Sequence, residues 1–313
     1  MQSIKKGMAI FGASLLAVQG AAHAGEPAEN GSLQTGEAHP TLGRVTTITP
    51  EMTAQAARLV TEGRVYALGV ITGPDTPAYP GRSYSIETFD GGDPQGTNKV
   101  TAHDDRLATH VGIGSQIDGL AHIGRDGVHY GGLRREDIFT PTGMTALGTE
   151  HIPPIATRGV MIDIARHFGV DRLAPMQGFG SADIRAAAAA QGVEIRAGDV
   201  VLFNTGWLSM AEEDAQAFIG AQPGLNADGA AYLAKVGVVA IGADSAALET
   251  MAFENGALFP VHQMLLVDHG IYVLESMNTA RLAADRVHEF FFVLGQPRFA
   301  GSVQAVINPV AVR

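Results

Sequence analysis

The chain has 313 residues, 46% of them hydrophobic, with no cysteine and a formal charge of −11 at neutral pH. That length accommodates one large domain or two small ones with a sizeable core. The acidic balance argues against nucleic acid or an anionic membrane as a partner, and the missing cysteines exclude thiolate metal ligands and a cysteine nucleophile.

Residues 1–24 read as an export signal. Lys5 and Lys6 are a positive start, Met8 to Val18 is largely apolar, and Ala22-His23-Ala24 fits the small-x-small cleavage rule. The apolar stretch is short of the ~20 residues a bilayer requires, so a membrane anchor is the weaker reading. Cleavage after Ala24 removes two lysines and no acid, which moves the formal charge from −11 to −13 and leaves a periplasmic protein starting at Gly25. Residues 25–45 are polar and rich in turn formers, the composition of a flexible arm. A single domain is expected over residues 46–313.

Thr49-Pro50-Glu51 is a helix start with Thr as N-cap, and Gly63 stops the helix before a strand over Val65 to Ile71. The stretch from Gly73 to Asp105 has little periodicity and reads as a long loop, either a lid or rim over a site or a plain surface excursion. Beyond it, helices alternate with short apolar runs. Ser181 caps a helix closed by Gly192, and Asn226 caps another closed by Gly237. Val200 to Phe203, Val238 to Gly242, Ile271 to Leu274 and Glu289 to Leu294 read as strands. That alternation indicates an α/β protein, a layered sheet with flanking helices.

The chemistry concentrates in Gly114-Ser115-Gln116-Ile117-Asp118-Gly119-Leu120-Ala121-His122. On a strand, Gln116 and Asp118 project to one face, and a turn at Gly119 swings His122 back beside them. A carbonyl oxygen, a carboxylate and an imidazole so placed suit a divalent metal with a proton-transfer group next to it. The structural alternative is a buried Asp–His hydrogen bond. Downstream, His262 precedes an apolar run, and Glu275 stands at the tip of the strand Ile271 to Leu274, where α/β proteins commonly place functional groups. The bland alternative is an exposed histidine and a Glu275–Arg281 pair. His129 is a weaker candidate for the pocket wall. Asp244 ends another strand, where it either supports the site or caps a helix. No nucleophilic serine elbow or phosphate-binding loop is present, which favours a metal-activated water over a covalent route.

Several of these segments together resemble the cyclase family of metal-dependent hydrolases, which includes bacterial kynurenine formamidases and isatin hydrolases. The family signature His-x-Gly-Thr-His-x-Asp-x-Pro-x-His is similar to Gly112-Ile113-Gly114-Ser115-Gln116-Ile117-Asp118-Gly119-Leu120-Ala121-His122. Further resemblance lies in Thr157-Arg158-Gly159-Val160, in Gly198 to Trp207, in Gly242-Ala243-Asp244 and in the segment from His262 to Glu275. The resemblance implies a swivelling β/β/α domain and a homodimer. It makes Asp118, His262 and Glu275 metal ligands and His122 the acid/base. The departures are Gly112 and Gln116 where the family has histidines, Ser115 for its Thr and Leu120 for its Pro. Gln116 then offers a neutral oxygen. On a straight strand His110 lies ~20 Å from Gln116, too far to share an ion without a sharp bend.

The expected ligand set is therefore Gln116, Asp118, His262 and Glu275 around one Mn²⁺ or Zn²⁺ ion, rich in oxygen donors. The expected reaction is hydrolysis of a small amide or lactam by metal-activated water, with His122 moving the proton. An esterase or lactonase acting through the same ion is the alternative enzyme. A non-catalytic periplasmic binding or structural relative with a degenerate site is the alternative outside enzymes.

Overall fold

Short apolar runs that alternate with helices build the centre of the protein. The computed structural model describes residues 37–313 apart from Glu254; residues 1–24, expected to be an export signal, and residues 25–36 of the expected arm lie outside the described residues. In chain order, the strands that matter here are β1 (Val65–Ala67), β2 (Tyr84–Asp90), β3 (His103–Thr109), β4 (Gln116–Asp118), β5 (Ile155–Asp163) and β6 (Val200–Asn204). They continue with β7 (Ala240–Ala243), β8 (Tyr272–Glu275), β9 (Glu289–Leu294), β10 (Gln304–Val306) and β11 (Val310–Val312). Nine of these form one mixed sheet in the order β1-β11-β9-β5-β6-β7-β8-β4-β10.

The four strands β5 to β8 run parallel to one another. Parallel strands are covered on both faces, so their sequences are continuously apolar rather than alternating. Val200, Val201, Leu202 and Phe203 are accordingly all buried, as are Tyr272, Val273 and Leu274. Antiparallel strands flank this block. β9 alternates along its length, burying Phe290, Phe292 and Leu294.

Helix α1 (Pro50–Ala57) packs on β5 and β9, and α2 (Ser181–Gln191) packs on α3 (Ala227–Val236) and β5. Their ends follow the expected signals. Thr49 Oγ1 accepts from the amide of Met52, and Asn226 Oδ1 accepts from Gly229. Gly192 and Gly237 close their helices in the left-handed region. At α2 the cap differs from expectation. Gly180 holds the cap position, and carboxylates of Asp183 and Asp228 accept from the amides of Gly180 and Ser181. Among the described residues, no helix is long and apolar enough to cross a membrane.

Two segments depart from the sequence reading. The arm does not extend to residue 45: Leu42 and Val45 are buried in the core, and the Arg44 guanidinium donates to the carbonyls of Ala234 and His269. Two apolar side chains in a polar stretch suffice to anchor it. The stretch from Gly73 to Asp105 is not a plain loop, because β2 and β3 pair antiparallel through all seven positions from Tyr84↔Thr109 to Asp90↔His103. Nearly every residue of that hairpin is exposed, so neither face carries the apolar alternation by which a half-buried strand is recognised.

Candidate metal centre

Strand β4 is only three residues long, yet it lies between β8 and β10, and its register sets the site. Gln116 stands opposite Glu275, and Asp118 stands opposite Gln304. Directly opposed residues send their side chains to the same face of a sheet. Four polar side chains from three strands therefore share one face, while Ile117, Leu274 and Ala305 pair on the other and enter the core. Gly114 admits the bend before β4: its φ is +73°, and a Cβ there would meet Thr72 Oγ1 at 2.2 Å. Beyond β4 the chain turns at Gly119, whose carbonyl accepts from the His122 amide at 2.9 Å.

The imidazole of His262 comes from elsewhere in the sequence. Phe259 adopts a left-handed conformation, Pro260 opens a short helix to His262, and the chain continues as a π-helix from Gln263 to Asp268. π-Helical turns are rare and concentrate at functional sites. The result brings His262 Nε2 to 3.5 Å from Asp118 Oδ2 and 3.2 Å from Glu275 Oε1. One ligand atom from each residue lies within 4.8 Å of the others. Two donors each ~2.1 Å from a shared ion in tetrahedral geometry lie ~3.4 Å apart, so these separations are those of a coordination polyhedron.

The hydrogen bonds around the trio divide its oxygens into two sets. Asp118 Oδ1 accepts from Gln304 Nε2 at 2.7 Å and Gln116 Nε2 at 3.3 Å, and Glu275 Oε2 accepts from Gln116 Nε2 at 2.6 Å. Asp118 Oδ2 is buried and has no hydrogen-bond partner. A buried carboxylate oxygen without a hydrogen bond carries a desolvation penalty unless a cation meets it, and the groups that approach this one are the imidazoles of His262 at 3.5 Å and His122 at 3.9 Å. Asp118 Oδ2, Glu275 Oε1 and His262 Nε2 thus face one another, and the residues present fit a divalent ion. Gln116 corrects the expectation of a fourth ligand. It is in the centre, but its amide nitrogen clamps the outer oxygens of both acids rather than offering its oxygen inward.

Glu249, which the sequence reading missed, completes the arrangement. Its buried carboxylate accepts from the backbone amides of Val261 and His262 at 3.2 and 3.0 Å and meets His262 Nδ1 at 2.5 Å. A carboxylate facing Nδ1 accepts a hydrogen bond from Nδ1–H and so leaves Nε2 with its lone pair toward the ion. Its one sequence signal is a lone acid in the small and apolar run Ala246 to Met251. Gln304 had no signal, since only strand register brings it to Asp118.

The charges follow from this packing. Burial drives Glu275 up to about 8, and the Asp118 charge adds to that. Burial would also raise Asp118, but His122, His262 and Gln304 outweigh it and hold its carboxyl at about 2. Burial pulls His262 down, yet Asp118, Glu249 and Glu275 together hold it well above its ordinary value. Without metal, the fold therefore keeps protons on Glu275 and His262 that an ion must displace. A raised Glu275 makes the metal-free fold lose stability as pH climbs from 4.5 towards 8, and a raised His262 loses its stabilising pairing as pH climbs through its elevated value. The increase in Tm on adding Mn²⁺ is thus expected to be larger at about pH 8.5 than at about pH 6. Thermal unfolding with and without Mn²⁺ measures it; an increment that shrinks with rising pH contradicts this site.

His122 stands at the open side of the trio, with Nε2 at 3.9 Å from Asp118 Oδ2 and 22% of its side chain exposed. Burial lowers its pKa against the opposing Asp118 charge, and His262 and Arg82 lower it further. Burial thus favours the neutral ring. Neither bland alternative holds: His262 and Glu275 are buried, and Arg281 pairs with Asp285 instead. His110 is exposed and turned away, its Nδ1 accepting from the Ser83 amide. His129 is buried against Gly124 and outside the trio. Asp244 accepts from both the amide and hydroxyl of Thr205 and lines a separate surface depression of about 670 Å³ with Arg172 and Asn204.

Residues 66–250 match the family model Cyclase. The crystal structure of a novel cyclase is 26% identical and superposes with a TM-score of 0.80 over 87% of this chain and 94% of that one. Isatin hydrolase A from Ralstonia solanacearum is 19% identical with a TM-score of 0.60, over 84% of this chain and 95% of that one. A structure described as a potential metal-dependent hydrolase with cyclase activity is 18% identical with a TM-score of 0.52, over 79% and 98%. No curated protein matches the chain. Fold, motif order and family match agree: this chain belongs to the cyclase family.

Proposed function

We propose that the protein is a metal-dependent hydrolase of a carbon–nitrogen bond in a small amide or lactam. The observation that carries this reading is the convergence of Asp118 Oδ2, His262 Nε2 and Glu275 Oε1 beside a partly exposed His122. Those three atoms would hold a divalent cation, which when bound would supply Lewis-acid polarisation of a carbonyl and lower the pKa of a water from ~16 to ~7. His122 accepts a proton from the attacking water and delivers it to the departing nitrogen as the C–N bond breaks. The carbonyl carbon keeps the water oxygen, and the products are a carboxylate and an amine. Gln116 and Gln304 hold the acids in place through their outer oxygens, and Glu249 fixes the tautomer of His262.

Two oxygens and one nitrogen form a mixed donor set that suits Mn²⁺ or Zn²⁺, and the reading takes one ion shared by the three. Support for hydrolysis also comes from the fold shared with isatin hydrolase A. The reading includes export to the periplasm through residues 1–24, supported by their charge and apolar pattern, and a homodimer as the assembly. Assay of the Mn²⁺- and Zn²⁺-loaded protein against a panel of amides, lactams, esters and lactones tests the function. Turnover of amides or lactams that chelator removes and metal restores supports it. Turnover confined to esters and lactones replaces C–N with C–O hydrolysis, and no metal-dependent turnover of any kind refutes it.

A further inference from the structure

The segment leading into the hairpin brings two more side chains to this centre, Tyr79 and Arg82. Arg82 is half-buried, its Nη1 donates to the carbonyl of Gly112, and its guanidinium carbon lies 5.2 Å from the centroid of the Tyr79 ring. Gly112 makes this possible. A Cβ there would sit 2.6 Å from Arg82 Nη1 and 2.8 Å from Gln304 Oε1, so a side chain at 112 would have to shift the guanidinium or the Gln304 amide from this position. The absence of a side chain at 112 thus has a structural use.

Packing ties both residues to the metal centre. Arg82 Nη1 and Gln304 Oε1 both border the space over Gly112, Gln304 Nε2 donates to Asp118 Oδ1 at 2.7 Å, and the Tyr79 ring lies against the guanidinium. Arg82 nevertheless forms no ion pair with any carboxylate among the described residues, although five donors are fixed on its fork. The Tyr79 hydroxyl accepts from Gln222 Nε2 at 3.0 Å, which leaves its own hydrogen for another acceptor. Charge counting points the same way. Asp118, Glu249 and Glu275 contribute three negative charges; a divalent ion beside a neutral His262 leaves one, and Arg82 cancels it. Without Arg82 the loaded centre would repel an anion.

We propose that Arg82 and Tyr79 form a carboxylate-binding pair facing the metal trio. The inference rests on the hydrolase reading for the position of the reacting carbonyl. The bound carboxylate comes from one of two sources, a free carboxyl group already on the substrate or the one that hydrolysis creates. A planar guanidinium matches either by two parallel hydrogen bonds.

The test is calorimetric binding of benzoate and of neutral benzamide to the Mn²⁺-loaded protein. It compares wild type with Arg82→Gln, Arg82→Lys and Tyr79→Phe, with metal content measured for each. Arg82→Gln is expected to weaken benzoate roughly tenfold to a hundredfold, the loss of a charged hydrogen bond, while benzamide stays within about twofold. Arg82→Lys restores part of the benzoate affinity, and Tyr79→Phe causes a smaller loss. Equal benzoate affinity in wild type and Arg82→Gln, with metal retained, overturns the proposal. Should Arg82→Gln lose its metal, Arg82→Lys decides: selective retention of benzoate supports the pair, and loss of both probes alike overturns it. A wild-type protein that binds no metal refutes the hydrolase reading instead, and benzoate binding by metal-free wild type and Arg82→Gln still judges the pair separately. The two sources separate in kinetics with an amide carrying a free carboxyl group and its methyl ester. A KM raised by Arg82→Gln for the acid alone marks the substrate's own carboxyl, whereas weakened product inhibition with both marks the carboxylate formed.

Discussion

Asp118→Asn is expected to strip the protein of its metal and of its activity while leaving it folded. The substitution keeps the size of a side chain that is completely buried between β8 and β10, so packing is preserved. What it removes is the charge on Oδ2, the atom that lies 3.5 Å from His262 Nε2 and has no hydrogen-bond partner. Loss of residues that merely orient ligands costs ~10- to 100-fold in metal affinity, so loss of an anionic ligand is expected to exceed ~100-fold. Turnover is expected to fall at least ~1,000-fold at a metal concentration that saturates the wild type. Metal content after dialysis and circular dichroism of the same sample check both halves. A folded Asp118→Asn variant that keeps a full equivalent of metal would remove Asp118 from the ligand set.

His122→Ala is the complementary case, expected to keep the metal and lose the chemistry. His122 lies outside the trio, at 3.9 Å from Asp118 Oδ2, and its partial exposure lets it face a substrate. General acid–base catalysis by one side chain contributes ~10²- to 10⁴-fold, which is the expected fall in kcat. The pH profile adds a signature. A base must be unprotonated to act, and burial lowers the His122 pKa from its ordinary value, so the fall of wild-type activity on acidification is expected at a lower pH than an exposed histidine would give. In His122→Ala that acid limb disappears. Unchanged turnover, or an unchanged limb with reduced turnover, would assign the proton transfer to another group.

The parts of this protein that were legible in sequence are those governed by short-range rules. Continuous apolar runs such as Val200 to Phe203 became buried parallel strands because both faces are covered. Caps at Thr49 and Asn226 and left-handed glycines at 192 and 237 sit where local backbone chemistry puts them. Asp118 and His122 were readable together because a strand followed by a turn at Gly119 relates them within one short segment. His262 and Glu275 were readable through the family resemblance and through Glu275's position at a strand tip.

What stayed hidden depends on tertiary register. Gln304 reaches Asp118 only because β10 pairs with β4 in one specific alignment. Glu249 reaches His262 through left-handed conformations at Leu248 and Phe259 that no pattern of hydrophobicity encodes. The Gln116 amide was assigned to the ion on its chemistry, but its cross-strand partner Glu275 draws the nitrogen to the outer carboxylate oxygens. The β2–β3 hairpin escaped notice because an exposed ribbon has no apolar face to mark it, and with it went the placement of Tyr79 and Arg82.

One diffraction experiment bears on the whole scheme: crystals grown with Mn²⁺, measured at a wavelength where manganese scatters anomalously. A single peak is expected, ~2.0–2.2 Å from Asp118 Oδ2, His262 Nε2 and Glu275 Oε1. Density that shows those three side chains intact with no ion between them, or an ion bound only by other residues, would contradict it.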